Sequence, residues 1–541
     1  MMKNIINILL CIFLIDTACN QQIERLELSE TIGNLSVNEF LQDLNNLSSN
    51  EMMGRKTGSP GYDSAANYIL KKIKSLGLKP GGTNGAYFQP IKFKKSSIER
   101  SSLNLKINGE VLEFGKDYSI APRTSNKEID INTTIVFMGF GICAPELNYD
   151  DFADIDVTGK VVMIIRDAPS NFGLVERAVL TNESTITKTL KEKGALGVIS
   201  VFPESLDQIT PWKFISASVS SPLLRWINPE NVEDDEIQVA LALNRKKAVE
   251  LFKKAAQDYK NVVEQLVNGN PVSFDMGINV QIKAKFNSET TQSHNVAGIL
   301  EGTDPKLKGE YLIMTAHLDH LGIGYPIEKD SIYNGTLDNA SGSSALLTLA
   351  NTFSKMKAPK RSIMFLWLTG EEQGLLGSEY FAKYPTINSN NVVANQNMDA
   401  IVGLIVETKD VIAYGYEHSN LSKSVDYATK YLGLKIGKDP APEQNFFARS
   451  DHYSFVKEGY PAVWAVSGRI AENDSINAQM KIDNWIGQRY HKPSDDMTQT
   501  MDLKGIKKEL ELNFLIAYHI INKLETVKWN KDSFLFNRFV R

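Results

Sequence analysis

Short apolar runs alternate with helical patterns in the part of the chain that follows residue 290. The runs that fit buried strands are 311–316, 363–368, 411–414 and 462–466. The segments with apolar residues at helical spacing are 343–356, 422–432 and 506–524. Continuous apolar strands between helices are typical of a sheet covered on both faces. This region is therefore predicted to form an α/β fold with a mainly parallel central sheet.

The middle of the chain has a different pattern and suggests an insertion. Its short β-rich runs lie at 103–107, 134–137, 161–165 and 197–201. Helical patterns at 38–47 and 62–76 come before it. We therefore predict that a β-rich domain interrupts a catalytic domain. The predicted boundaries are 20–115 for the first catalytic part, 116–280 for the insertion and 281–541 for the second catalytic part.

The N-terminus has the pattern of an export signal. Lys3 is followed by an apolar run at 5–15 that is short for a membrane span, and the run ends at Asp16-Thr17-Ala18-Cys19. We interpret residues 1–19 as a signal peptide that resembles a bacterial lipoprotein signal, with Cys19 as the lipidated residue. An ordinary secretory signal is the alternative. The protein is expected to be exported, either as a periplasmic or cell-envelope lipoprotein or in secreted form.

Composition narrows the function classes further. The 541 residues carry a formal net charge of -5, which argues against a nucleic-acid partner. Two of the three cysteines lie in the predicted leader, so the mature chain has no pair for an internal disulfide. The third, Cys143, is predicted to be a small buried hydrophobe and not a nucleophile.

Polar residues follow three of the predicted strands directly. His317 comes after the first strand, Glu371 and Glu372 come after the second, and Asp399 follows a run that starts near residue 391. Open α/β sheets place their sites at the carboxyl ends of the strands, so these side chains are expected to converge. Each would be unremarkable alone, as a turn residue or a helix-start carboxylate, but together they indicate a site.

Asp338, at a helix start, and His491, in a loop before the last long helix, complete a set of two histidines and three carboxylates. Imidazole and carboxylate are standard Zn²⁺ ligands. One carboxylate must bridge, because five side chains cannot give two ions three separate ligands each. A pair of zinc ions would hold a water as hydroxide near neutral pH. Neighbouring acids project differently, so one of Glu371 and Glu372 could bind metal while the other acts as general base.

The motifs around these residues resemble those of the co-catalytic zinc peptidase family. That family includes bacterial leucyl-type aminopeptidases, glutamate carboxypeptidase II and the non-enzymatic transferrin receptor. The matching segments are His317-Leu318-Asp319-His320, Asp338-Asn339-Ala340-Ser341-Gly342, Gly370-Glu371-Glu372-Gln373-Gly374, Asn397-Met398-Asp399 and Tyr490-His491-Lys492-Pro493-Ser494-Asp495. The likeness extends to the loop from Gly54-Arg55 to Gly61.

The resemblance implies a phosphorylase/hydrolase-like α/β/α sandwich and a role for each residue. His317 and Asp399 would bind one of two zinc ions and Glu372 and His491 the other, with Asp338 bridging them. The implied catalytic residues are Glu371 as general base, Asp319 orienting His317 and Tyr490 stabilising the oxyanion. It also implies a cis peptide bond between Asp338 and Asn339.

The inserted region is itself similar to a protease-associated domain, through residues 137–151 and Gly159-Lys160-Val161-Val162. Such domains usually lack catalytic residues and shape access to the cleft.

The expected function is hydrolysis of terminal peptide bonds, with aminopeptidase as the first choice and peptides as substrates. One alternative is a carboxypeptidase or dipeptidase of glutamate carboxypeptidase type, for which Arg449 could meet a carboxylate. Glutaminyl cyclisation by a one-zinc relative and a receptor-like binding protein are two more. The complete ligand set argues against both.

Overall fold

The computed structural model describes residues 27–230, 236–523 and 526–540. The predicted signal peptide, with Cys19, lies outside these residues. The described residues form two compact units: the first lies within 1–90, 294–440 and 451–541, and the second lies within 91–293 and 441–450. Among the described residues, no helix is both long enough and apolar enough to cross a membrane.

The strands, in chain order, are β1 (Lys79–Pro80), β2 (Phe88–Ile98), β3 (Asn104–Ile107), β4 (Glu110–Val111), β5 (Tyr118–Ile120), β6 (Glu128–Met138), β7 (Cys143–Ala144), β8 (Tyr149–Asp150), β9 (Val161–Ile165), β10 (Gly197–Val201), β11 (Leu223–Trp226), β12 (Val239–Leu243), β13 (Ser273–Leu300), β14 (Tyr311–His317), β15 (Gly322–Ile327), β16 (Asp330–Tyr333), β17 (Ser362–Leu368), β18 (Val392–Asn397), β19 (Asp410–Tyr414), β20 (Lys435–Ile436) and β21 (Ala462–Ser467).

The helices are α1 (Val37–Leu47), α2 (Pro60–Ser75), α3 (Leu174–Leu180), α4 (Glu183–Glu192), α5 (Glu204–Ile209), α6 (Trp212–Val219), α7 (Arg245–Lys254), α8 (Tyr259–Val267), α9 (Gly342–Lys355), α10 (Leu376–Lys383), α11 (Ser422–Leu432), α12 (His452–Lys457), α13 (Ala478–Arg489), α14 (Leu503–Asn522) and α15 (Phe534–Phe539).

The first unit is built on a mostly parallel sheet. Strands β17, β14, β18 and β21 are neighbours in that order and run parallel. Antiparallel neighbours flank this run, with the last residues of β13 beside β17 and β19 beside β21. The predicted strands and helices of this region are confirmed, and most of their ends agree within one or two residues.

Burial explains why these strands read as continuous apolar runs. Every residue of β17 is buried, and so is every residue of β14 after Tyr311. Helices α9 and α14 contribute a similarly buried set of side chains to the same core, among them Leu346 and Phe514. A sheet with both faces covered has no solvent side, so its strands show no alternation of apolar and polar residues.

The second unit mixes helices with its sheet. Strands β6, β9, β10 and β12 run parallel, and β5 pairs antiparallel with β12. The helices α3 to α8 also lie in this unit. We predicted a β-rich domain, but the insertion is an α/β unit. The helical pattern that the sequence shows at 185–193 corresponds to α4, whereas the other helices of this unit were not predicted, because the apolar runs between them fit strands better.

Hydrogen bonds to one buried carboxylate hold the loop at 137–151 of this unit. The buried carboxylate of Asp151 accepts hydrogen bonds from the backbone N–H groups of Phe140 and Ile142, each at 3.0 Å, and from the Tyr149 hydroxyl at 2.9 Å. Burial is the main cause that raises the pKa of Asp151 to about 7. Cys143 is half-buried, and so more accessible than predicted.

The boundaries of the insertion differ from the predicted 116–280. The second unit already begins at residue 91 and continues to residue 293. β13 is one continuous strand, Ser273–Leu300, so no turn marks the boundary after residue 293. The segment 441–450 also belongs to this unit, where the turn at Phe446–Ala448 contacts α3.

A buried arginine braces the catalytic loops of the first unit. Arg55 is fully buried and donates hydrogen bonds to backbone carbonyl oxygens of Leu47 (2.6 Å), Leu318 (2.8 Å), Asn334 (2.6 Å) and Gly335 (2.9 Å). One rigid guanidinium therefore connects the loop after β14 to the loop that precedes Asp338. Only the planar five-donor fork of arginine can serve all four acceptors at once.

We expect Arg55→Lys to lower the free energy of unfolding by about 3 kcal/mol, because buried carbonyl groups lose their donors. It should also weaken metal binding, because both braced loops carry predicted ligands. Urea unfolding and zinc titration measure the two effects.

Arg361→Lys is the matched control. Arg361 is also buried, but it lies before the amino end of β17, where it donates to Glu310 and to the Ile520 carbonyl. This variant should lose stability and keep its zinc affinity. Equal loss of zinc affinity in the two variants would contradict a specific role for Arg55.

Candidate metal centre

The carboxyl ends of the parallel strands bring the predicted ligands together. His317 is the last residue of β14, Asp399 follows β18, and Glu371 and Glu372 follow β17. Asp338 lies in the turn Thr336–Ser341, which leads into α9. His491 follows α13 and has a positive φ of 56°. The structure thus places all five side chains in one region of the first unit.

Asp338 occupies the middle of the cluster. One of its oxygens, Oδ1, lies 3.3 Å from His317 Nε2, and the other, Oδ2, lies 3.1 Å from His491 Nε2. His317 Nε2 also lies 3.3 Å from Asp399 Oδ1, and His491 Nε2 lies 3.2 Å from Glu372 Oε2. Asp338 therefore belongs to two groups of three ligands, one through each carboxylate oxygen.

These separations fit metal coordination. A zinc ion bound at about 2.0–2.1 Å to tetrahedral nitrogen and oxygen ligands keeps those ligand atoms about 3.3 Å apart. The donor atoms of His317, Asp338 and Asp399 all lie within 4.8 Å of one another. The donor chemistry, imidazole with carboxylate, also suits zinc.

The turn that carries Asp338 is held from both sides. The Asp495 carboxylate accepts hydrogen bonds from the N–H groups of Leu337 (3.0 Å) and Asp338 (3.1 Å). The amide of Asn339 donates to the Met398 carbonyl and accepts from the Ala400 N–H, which ties this turn to the Asp399 loop. The peptide bond between Asp338 and Asn339 is cis, so that implication of the resemblance is confirmed.

Asp319 serves the neighbouring loop. Its carboxylate accepts hydrogen bonds from the N–H groups of Glu371 (3.1 Å) and Glu372 (3.3 Å) and from the Thr57 hydroxyl (3.1 Å). The His317 Nδ1 atom lies 3.1 Å from the Asp319 carbonyl oxygen but 3.9 Å from the nearer carboxylate oxygen. The backbone carbonyl of Asp319 therefore orients His317, whereas we predicted that its carboxylate would do so. The carboxylate instead positions Glu371 and Glu372.

Glu371 faces the cluster without joining either group. Its Oε2 lies 3.9 Å from His317 Nε2, whereas the histidine nitrogens and carboxylate oxygens within the two groups are 3.1–3.3 Å apart. Burial, and then the nearby carboxylates of Asp399, Glu372 and Asp451, raise the pKa of Glu371 well above its usual range, although His317 opposes the shift. Cations bound between the ligands would offset part of this rise in the pKa of Glu371.

Glu372 and Asp338 differ from Glu371 because histidines contact them. Burial would raise the pKa of Asp338, but hydrogen bonds from His317 and His491 hold it well below its usual range. Burial and Asp338 would also raise the pKa of Glu372, and the contacts with His320 and His491 lower it to about 2. Asp338 and Glu372, both predicted to bind metal, are therefore held in the ionised form.

Four residues at the centre had no predicted role. His320 contacts Glu372, Arg55 braces two loops, Asp495 holds the Asp338 turn, and Asp451 is a buried carboxyl whose pKa is raised to about 7, mainly by burial. Arg55, His320 and Asp495 lie inside the motifs that resemble the peptidase family, and this was the only feature of the sequence that could have indicated a role for them.

Tyr490 stacks on the His491 ring with centroids 3.9 Å apart, and its oxyanion role stays a prediction.

Comparison with known proteins gives one family match. Residues 295–514, which include all five predicted ligands, match the model of peptidase family M28. Among curated proteins, leucine aminopeptidase 1 of Trichophyton equinum is 24% identical over 269 residues, which cover 48% of this chain and 69% of that one. The probable leucine aminopeptidase 2 of Aspergillus oryzae is 24% identical over 497 residues, or 90% of this chain and 84% of that one.

Among solved structures, an aminopeptidase from Aneurinibacillus sp. strain AM-1 shares the fold, with a TM-score of 0.52 at 18% identity. The match covers 92% of this chain and 96% of that one. The ligand-bearing strands, the family match and the leucine aminopeptidase relatives lead to the same conclusion: this chain is a metallopeptidase, and its residues 295–514 match peptidase family M28.

Proposed function

We propose that this protein is an exported aminopeptidase that uses two zinc ions. The observation that carries the proposal is the position of Asp338, whose two oxygens face two separate histidines at 3.3 and 3.1 Å. One ion would be held by His317, Asp338 and Asp399, and the other by Asp338, Glu372 and His491. Bound zinc would supply Lewis acidity, which activates a water and polarises the substrate carbonyl.

Glu371 is the general base in this proposal. It lies beside the ligands without belonging to either group, and its backbone N–H is anchored by Asp319. In the reaction its carboxylate takes the proton of the attacking water and later gives it to the leaving amine. A carboxylate with a raised pKa is suited to both transfers near neutral pH.

We favour an aminopeptidase over a carboxypeptidase on two grounds. The curated relatives reported above are leucine aminopeptidases. Arg449, the residue proposed for a carboxylate, is exposed, donates to the Gln444 carbonyl at 3.3 Å and lies over the Phe446 ring, all within its own segment. The insertion is proposed to act as a protease-associated domain without catalytic residues, which agrees with the position of both ligand groups in the first unit.

A peptide panel tests the choice between the two ends. The zinc-loaded protein should cleave peptides with a free amine, and amidation of the C-terminus should leave this cleavage intact. Acetylation of the N-terminus should abolish it. Release of C-terminal residues from acetylated peptides, with no cleavage of amidated ones, would establish a carboxypeptidase.

Glu371→Gln tests the base. The substitution removes the proton acceptor but none of the proposed ligands, so kcat should fall about 10²–10⁴-fold while zinc content stays unchanged. Glu379→Gln, on α10, is the matched control and should keep full activity, since Glu379 pairs with Lys383 and Lys457. A Glu371→Gln protein with near-normal kcat would refute the assignment.

Attachment to a membrane through a lipid on Cys19 is proposed from the sequence pattern alone. In fractionated cells, Cys19→Ser should move the protein from the membrane to the soluble fraction. Cys11→Ser, inside the apolar leader run, should leave the distribution unchanged. Membrane association that persists in the Cys19→Ser variant would rule out this anchor.

A further inference from the structure

A third histidine lies against the proposed ligands. His320 is buried, and its Nδ1 atom lies 2.6 Å from Glu372 Oε1. Glu372 thus contacts a histidine through each oxygen, since Oε2 faces His491 Nε2 at 3.2 Å. The centroids of the two imidazole rings are 5.8 Å apart. Both oxygens of one carboxylate are therefore engaged, on different sides.

The two contacts differ in kind. The 3.2 Å separation from His491 is close to the roughly 3.3 Å expected between two ligand atoms of one zinc ion. The 2.6 Å separation from His320 is too short for that and has the length of a hydrogen bond. Because a carboxylate offers only acceptors, the His320 Nδ1–H must be the donor.

The surroundings keep the His320 ring in this position. Its backbone N–H donates to the Arg55 carbonyl at 3.2 Å. Gly335 lies so close that an added Cβ would come within 2.5 Å of two His320 ring carbons, and its φ of +57° already disfavours a side chain. Within the described chain, His320 Nε2 has no hydrogen-bond partner, so the Nδ1 contact alone fixes the ring by hydrogen bonding.

We propose that His320 is a positioning residue that holds Glu372 as a one-oxygen ligand of the second zinc ion. This inference rests on the proposed two-zinc function. With Oε1 occupied by His320, only Oε2 is presented to the ion beside Asp338 and His491. A glutamate that bound through both oxygens would use a coordination position that a catalytic site keeps open. Groups that orient a metal ligand in this way commonly change metal affinity 10–100-fold when they are removed.

Two substitutions separate the hydrogen bond from packing. His320→Asn places an amide near the position of Nδ1 and can still donate to Glu372, although it loses the ring. His320→Leu fills much of the space without a donor. We expect the Asn variant to stay within about 3-fold of the wild-type zinc affinity at both sites. The Leu variant should keep one zinc and bind the other 10–100-fold more weakly.

The measurement is zinc binding by competition with a colorimetric chelator, with thermal unfolding as a check on folding. If the Leu variant does not fold, His320→Gln replaces it, because its amide reaches the Nε2 position and should not restore the bond. His519→Leu is the matched control: His519 bonds to the Ser424 hydroxyl at 2.9 Å, away from the centre, and its loss should leave both zinc affinities unchanged.

The outcomes are distinguishable. Normal zinc affinity in the Leu variant, or equal weakening in the Asn and Leu variants, would overturn the role of His320 and leave the proposed function intact. A wild-type protein that binds fewer than two zinc ions would refute the two-zinc function and this inference with it.

Discussion

The need to balance buried negative charge governs the architecture of this centre. Asp319, Asp338, Glu372 and Asp495 all lie close enough to Arg55 to affect its pKa. An isolated carboxylate in such a place would cost several kcal/mol or remain protonated. The protein meets this cost in three ways: with backbone N–H donors, with one buried guanidinium, and with histidines arranged as if around cations.

Hydrogen bonds at the centre also join loops that lie far apart in the sequence. Asp319 links the segment after β14 to the glutamates after β17, and Asp495 links the last ligand loop to the Asp338 turn. Asn339 connects that turn to the loop of Asp399. These hydrogen bonds fix the ligand loops relative to one another, and a catalytic site of this kind requires such preorganisation.

The catalytic core could be predicted from the sequence because its signals are local. Runs such as 363–368 are apolar throughout and end in acidic residues, so both the strand and the site position could be read from one segment. The boundaries of the insertion have no such local signal, because β13 continues through residue 293 as one unbroken strand. Apart from α4, the helices of the insertion were not predicted, because they lie between runs that fit strands.

The supporting residues of the centre could not be predicted for a related reason. Arg55 lies more than 260 positions before the carbonyl groups of Leu318, Asn334 and Gly335 that it binds. No pattern within a single segment reports such contacts. His320 was visible beside Asp319, but whether it binds a metal or orients a ligand depends on a distance difference of less than 1 Å. Sequence spacing does not contain that information.

Anomalous X-ray diffraction at the zinc edge can establish whether Asp338 joins two metal sites. Crystals of the zinc-loaded protein should show two anomalous peaks, each at bonding distance from a different oxygen of Asp338. The peak beside His317 should also touch Asp399, and the peak beside His491 should also touch Glu372. A single peak, or two peaks neither of which contacts Asp338, would show that Asp338 does not join two zinc sites.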